Sequence, residues 1–119
     1  MAKVARPESK GKGRLKALPT AKLDELIDEA IVDANDESEQ TSGFYTMFEE
    51  HLAVPFAIDM LGVEVTVERV DLTDDERIVA VCVRGKSRQR ISILDLPLAD
   101  PPPAGWEWID AYRRWARGK

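Results

Sequence analysis

The sequence predicts one α+β domain, composed of an N-terminal helical pair, a four-stranded antiparallel meander and a C-terminal helix. Two stretches, residues 23–34 and 108–116, repeat apolar residues at the three- and four-residue spacing of an amphipathic helix. Between them, residues 63–67 alternate valine with polar residues, which is typical of a half-buried strand. Such a meander either stays open or curls into an open barrel. The 119 residues, 44% of them hydrophobic, suffice for one core.

The first 18 residues predict a disordered basic arm, and residues 19–119 predict the single folded domain. The arm contains six basic residues and one acidic residue, with glycine and proline and few residues to bury. A chain of this composition cannot bury enough apolar surface to offset the entropy of ordering it.

The first predicted helix begins at Thr20, an N-cap candidate after Pro19. Residues 38–43 interrupt the apolar pattern, so the second helix is expected from Phe44 to Leu52. Pro55 then ends it, because proline lacks the backbone N–H that continues a helix.

The strands follow as four short segments. Residues 56–61 are apolar apart from Asp59, and Gly62 permits a bend before the alternating strand. An acidic turn over residues 71–76 leads to the continuous β-branched run 78–83. A turn at residues 84–87 and a returning strand complete the meander. Prolines then connect to the last helix, where the tryptophans are expected to seal the core and Gly118 is a fitting stop.

Composition narrows the functional classes. No apolar run approaches the roughly 20 residues of a membrane span, and no secretory signal pattern is present, so a cytoplasmic location is expected. The single cysteine, Cys82, excludes an internal disulfide and a cysteine zinc site and is expected in the core. The single histidine, His51, is expected as a surface cation at a helix end. Without a nucleophile motif, a non-catalytic protein is predicted.

Acidic residues are concentrated between residues 21 and 50, where the net charge is −9. They are expected at the end of the first helix and in the following loop. On a helix, Glu29 and Asp33 would lie side by side and oppose the negative end of the helix dipole, which costs stability. A bound Ca²⁺ would reverse both penalties, since it takes six to eight oxygen ligands. The candidate metal ligands are Glu29, Asp33, Asp36, Glu37, Glu39, Glu49 and Glu50.

The competing interpretation is a solvated acidic face without a ligand. An EF-hand loop starting at Asp33 is excluded. Its sixth position is Ser38 where the sharp turn requires glycine, and its twelfth is Phe44 where a bidentate glutamate belongs.

The stretch IVDANDESEQTSGFYTMFEEHLAVPF, followed by VEVTVERVDL and the hairpin RIVAVCVRGKSRQRISILDLPL, resembles the small bacterial calcium-binding proteins first recognised in cyanobacteria. The matching elements are the V-D-A segment at residues 32–34, the E-x-E at 37–39, the aromatic helix ending in E-x-L, and the P-F at 55–56. Asn35 and Ser38 stand where that pattern has an aromatic residue and a further acid. The resemblance implies a calcium buffer or sensor with this fold.

Two alternatives remain open. The arm and the basic hairpin at residues 84–90 could contact phosphates of a nucleic acid, which the net charge of −5 disfavours. The acidic face could instead dock an unidentified protein partner.

Overall fold

The computed structural model describes residues 18–118, and the predicted basic arm therefore lies outside the described residues except for Leu18. An α+β architecture is confirmed. The helices are α1 (Thr20–Ala30), α2 (Glu37–His51) and α3 (Trp106–Arg117). The strands are β1 (Phe56–Met60), β2 (Val63–Leu72), β3 (Ile78–Arg84) and β4 (Ser87–Ser92), followed by the 3₁₀ turn Ile93–Asp95. No helix within residues 18–118 is long and apolar enough to cross a bilayer.

The four strands form one antiparallel sheet in the order β1-β2-β3-β4, as the meander predicts. The sheet stays open, because its edge strands β1 and β4 have no hydrogen-bonded neighbour on their outer sides. A register shift between Val67 and Arg69 marks a bulge in β2. Pairing of β1 with β2 runs from Met60↔Val63 to Phe56↔Val67 and goes no further along β2.

The core lies between one face of the sheet and the three helices. Phe44 and Phe48 of α2 are buried and make edge contacts with the Tyr112 ring of α3, at centroid distances of 5.3 and 5.8 Å. The indole N–H of Trp115 donates to the Gln40 side chain at 3.1 Å, and at the other end the His51 ring stacks on Trp108 at 5.2 Å, so the two helices run antiparallel. The apolar stripe predicted for the last helix is confirmed by the buried Trp108, Ile109 and Tyr112.

None of the helices within residues 18–118 packs on the opposite face of the sheet, yet its central valines are shielded. Val81 is 0% exposed there and Val79 is 7% exposed. Val81 has Arg69 and Arg90 as cross-strand neighbours, and Val79 has Asp71 and Ser92. The charged neighbours pair with one another, with Asp71 bound to Arg69 at 3.2 Å and to Arg90 at 3.4 Å. Long arginine side chains can cover apolar surface with their stems while their charged ends reach water.

Helix α2 begins at Glu37, seven residues before the predicted start at Phe44. The prediction was wrong because it treated Gly43 as part of a helix break. A Cβ atom at Gly43 would lie 2.1 Å from the carbonyl oxygen of Ala30. Glycine at this position therefore lets the end of α1 pack directly against α2, and the helix continues through it.

Candidate metal centre

The turn between α1 and α2 contains the densest group of predicted ligands. Helix α1 ends at Ala30, and the N–H of Ala34 donates to the Ile31 carbonyl at 2.9 Å, which turns the chain toward α2. Asp33 has a φ of 66°, in the left-handed region that aspartate tolerates better than most residues. The turn is open to solvent, with Val32 65% exposed.

Asp36 and Glu39 cap the N-terminus of α2. The N-cap Asp36 accepts a hydrogen bond at 2.9 Å from the backbone N–H of Glu39. Glu39 in turn accepts at 2.6 Å from the backbone N–H of Asn35. The arrangement closely resembles a capping box, although the glutamate reaches the residue before the N-cap. One carboxylate therefore satisfies a backbone donor that the helix itself leaves without a partner, and the other accepts from the turn just before it.

The expected electrostatic penalty is consequently absent. Asp33 lies beyond the end of α1, so it is not stacked on Glu29 along a helix. Asp36, Glu37 and Glu39 lie at the N-terminus of α2, where each negative charge contributes about 0.3–1 kcal/mol of stabilisation with the helix dipole. From the sequence they were expected at the end of the first helix and in the following loop. The Asp-x-x-Glu capping signature at residues 36–39 is the signal that could have placed them at the start of α2.

Several carboxylate oxygens of this turn stay available to a ligand. Within residues 18–118, the side chains of Glu29 and Asp33 form no hydrogen bond or ion pair. Asp36 and Glu39 each use one oxygen in the cap and retain the other, because an ionised carboxylate has about four acceptor sites. No group of three or more acidic, histidine or cysteine side chains in the described chain is already arranged to hold a metal ion.

Glu49 and Glu50 are not brought to this turn. They lie at the C-terminal end of the unbroken helix α2, about 18 Å along the axis from Glu37. Burial, followed by the neighbouring Glu49 carboxylate, raises the pKa of Tyr45 on the same helix. Glu50 lies 3.8 Å from His51, whose ring stacks on Trp108 at 5.2 Å. These two acids therefore lie on a separate region of the surface.

In the acidic turn between β2 and β3, one carboxylate is already paired with an arginine side chain. Asp75 accepts a hydrogen bond from the Thr73 hydroxyl at 2.5 Å and pairs with Arg77 at 3.2 Å. These contacts hold the pKa of Asp75 below its usual value, with the hydroxyl contact the larger cause. A metal ion at this turn would have to displace Arg77.

The charges of the basic hairpin at residues 84–90 are partly neutralised by acidic side chains of β2. Arg88 pairs with Glu68 at 3.2 Å and Arg90 pairs with Asp71 at 3.4 Å. Both arginines already have carboxylate partners, so they are less available for phosphate groups than the sequence alone indicates. Cys82 is 4% exposed, and burial raises the pKa of its thiol, as expected for a core cysteine.

The capping role of Asp36 can be separated from its charge. We expect Asp36→Ala to lower the free energy of unfolding by about 1 kcal/mol, because it removes the cap. Asp36→Asn should lower it less, by the charge contribution of about 0.3 kcal/mol at this exposed helix end, since asparagine caps a helix about as well as aspartate. Urea unfolding of both variants, followed by circular dichroism, measures the difference. Equal losses in the two variants would show that the charge, and not the hydrogen bond, stabilises this helix end.

No family model, curated protein or solved structure matches this chain, so its resemblance to the bacterial calcium-binding proteins rests on the sequence motifs alone.

Proposed function

We propose that this protein is a non-catalytic Ca²⁺ buffer or sensor, and that the ion binds at the turn between α1 and α2. The observation that carries the proposal is the presence of five exposed carboxylates within residues 29–39, on the α1–α2 turn and the helix ends beside it, with the side chains of Glu29 and Asp33 free of partners in the described chain. The resemblance to the bacterial calcium-binding proteins points to the same segment.

Asp33, Asp36 and Glu37 are the central ligands of the proposed site. They lie within five residues of each other on the turn and the first residue of α2. Glu29 and Glu39 flank them, backbone carbonyls and water complete the six to eight oxygens that Ca²⁺ takes, and Glu49 and Glu50 are not included. The turn would bind Ca²⁺ rather than Mg²⁺, which requires a near-ideal octahedral geometry.

The carboxylates must reorient when the ion binds, because they are not arranged around a common point in advance. Ordering exposed side chains has an entropic cost. We therefore expect reversible binding of modest affinity rather than a permanently occupied structural site.

The proposal predicts that Ca²⁺ stabilises the folded protein. At a free concentration 100 times the dissociation constant, the gain is about 2.7 kcal/mol. For a domain of this size that corresponds to a rise of about 10 °C or more in the melting temperature. Differential scanning calorimetry of the full chain with Ca²⁺, and with Mg²⁺ at the same concentration, measures it.

Substitutions of single carboxylates on the turn test where the ion binds. Asp33→Asn and Asp36→Asn should each reduce Ca²⁺ affinity at least tenfold, which is about 1.4 kcal/mol, because each removes an anionic ligand. Asp36→Asn retains the helix cap, so its loss of affinity cannot come from unfolding of α2. Glu64→Gln, an exposed acid at the start of β2, is the matched control and should bind like the parent. Unchanged affinity in both turn variants, with loss in an Asp74 and Asp75 double variant, would place the ion between β2 and β3 instead.

A further inference from the structure

The turn between β1 and β2 contains an exposed leucine in an unfavourable backbone conformation. Leu61 is 102% exposed, more than any other large apolar side chain within residues 18–118. Its φ is 55° and that of Gly62 is 82°, so both central residues of this two-residue turn have positive φ. Such turns prefer asparagine followed by glycine, because a leucine Cβ is crowded in the left-handed region. Neither packing within the described chain nor backbone preference explains a leucine at this position.

The strand residues beside this turn add a second unfavourable feature. Asp59 and Glu64 lie directly opposite each other on β1 and β2. Like charges at opposed positions destabilise an antiparallel pair of strands. Asp59 accepts a hydrogen bond from the Gly62 N–H at 2.7 Å, and the Glu64 side chain forms no hydrogen bond or ion pair in the described chain. Asp100 lines the same surface pocket as these two acids. The β1–β2 turn is therefore an apolar side chain beside carboxylates that no described cation neutralises.

The β3–β4 turn has the opposite charge. It lies at the same end of the sheet as the β1–β2 turn, because alternate turns of a meander share an end. Two strand spacings, about 10 Å, separate the two turns. Arg84 and Lys86 are exposed on it, and over the described range 18–118 their side chains form no hydrogen bond or ion pair. Two cations are therefore available to acidic groups of another molecule.

A pocket of about 260 Å³ adjoins the β3–β4 turn and opens to solvent. Its apolar lining includes Met60, Val65 and Ile91, which are only partly buried, and Arg84 lines it as well. Apolar walls with a few polar groups are typical of a binding pocket. A leucine beside carboxylates complements this pocket in polarity and in charge, and the β1–β2 turn has that composition.

We propose that the β1–β2 turn binds the β3–β4 turn of a second copy of this chain, with Leu61 of each copy in the pocket of the other. A two-fold axis between the two turns brings each acidic turn opposite a basic one, so the same contact forms twice. The contact buries Leu61 and neutralises the opposed pair Asp59 and Glu64. It joins only the ends of two sheets, so we expect weak and reversible association. The proposal is independent of the metal site.

Leu61→Asn separates association from folding. Asparagine suits this turn better than leucine, so the melting temperature of the dilute, monomeric variant should equal or exceed that of the parent. Its association constant should fall at least tenfold, because the apolar side chain that fills the pocket is lost. Sedimentation equilibrium of the full chain, from micromolar to millimolar protein with EDTA present, measures association. Val32→Asn is the matched control, since Val32 is 65% exposed on the α1–α2 turn, and it should associate like the parent.

An exchange of charges tests which turns meet. Glu64→Lys and Lys86→Glu each place like charges in both contacts of a symmetric dimer, so each variant alone should be monomeric. Mixed in equal amounts, the two variants should associate with each other, because both contacts of the mixed dimer then join unlike charges. A salt concentration of about 0.5 M should weaken the parent dimer, because it screens exposed charges.

Three results would overturn the proposal. One is a parent chain that stays monomeric up to millimolar concentration. Another is association that Leu61→Asn leaves unchanged, which would place the contact on a different surface, such as the groove between α2 and β2 lined by Phe48 and Val54. The third is failure of the two charge variants to associate when mixed, which would show that the β1–β2 and β3–β4 turns do not meet.

Discussion

Gly105→Ala is expected to lower the free energy of unfolding by about 3 kcal/mol or more, a large fraction of the 5–15 kcal/mol typical of a domain. A Cβ atom at Gly105 would lie 2.2 Å from the carbonyl oxygen of His51 and 2.7 Å from the Cα of Leu52. Both are backbone atoms, which cannot move aside as a flexible side chain can. Where these two segments touch, the Ala53 N–H also donates to the Ala104 carbonyl at 2.9 Å. A backbone shift that made room for the new Cβ atom would therefore disturb the start of α3 as well.

Gly85→Ala is the matched control for this substitution. Gly85 also has a positive φ, 59° against 89° at Gly105, but a Cβ atom there would meet nothing within 4 Å. Alanine at position 85 therefore has only the backbone cost of the left-handed region, about 1–2 kcal/mol. Urea unfolding followed by far-ultraviolet circular dichroism compares the two. Similar losses would mean that backbone conformation, and not the contact with α2, makes glycine necessary at position 105.

Phe44→Ala is expected to destabilise the protein by about 3–5 kcal/mol, the range for truncating a fully buried phenylalanine. Phe44 is 0% exposed, and its ring contacts Tyr112 at 5.3 Å and Trp115 at 5.2 Å. Removing it leaves a cavity between α2 and α3 and also removes the edge contact with Tyr112.

Thr46→Ala, at an exposed position of the same helix, serves as the control and should change stability by no more than about 0.5 kcal/mol. Near-ultraviolet circular dichroism monitors the packing of the aromatic cluster itself. We expect Phe44→Ala to lose this signal at denaturant concentrations where the parent is still folded. A loss below about 1 kcal/mol would show that the aromatic cluster repacks around the missing ring.

The order of the strands could be predicted from sequence because alternation and turn residues act locally. Residues 63–67 and the run 78–83 both became strands of the predicted meander. The early start of α2 could not be derived from apolar spacing, since its first turn is held by Asp36 and Glu39 rather than by buried side chains. The need for Gly43 arises from its contact with Ala30, which only the packed structure displays.

The candidate site was partly predictable. Charge counting found the acidic segment, but the direction of the helix dipole at Asp36 depends on which helix that residue adjoins. The separation of Glu49 from the turn follows from α2 being continuous, which the sequence argument did not assume. The free edge of β2 was not predicted at all, because it depends on where the pairing of Phe56 with Val67 ends.

Titration of the ¹⁵N-labelled full chain with Ca²⁺, followed by amide chemical shifts, tests whether the ion binds at the α1–α2 turn, because the shifts report binding and location together. We expect saturable shifts concentrated in residues 29–39, with Asp33 and Asp36 among the most affected and with residues around Asp75 unchanged. Absence of saturable shifts at millimolar Ca²⁺, the weak end of known protein sites, would contradict the claim that the α1–α2 turn binds this ion.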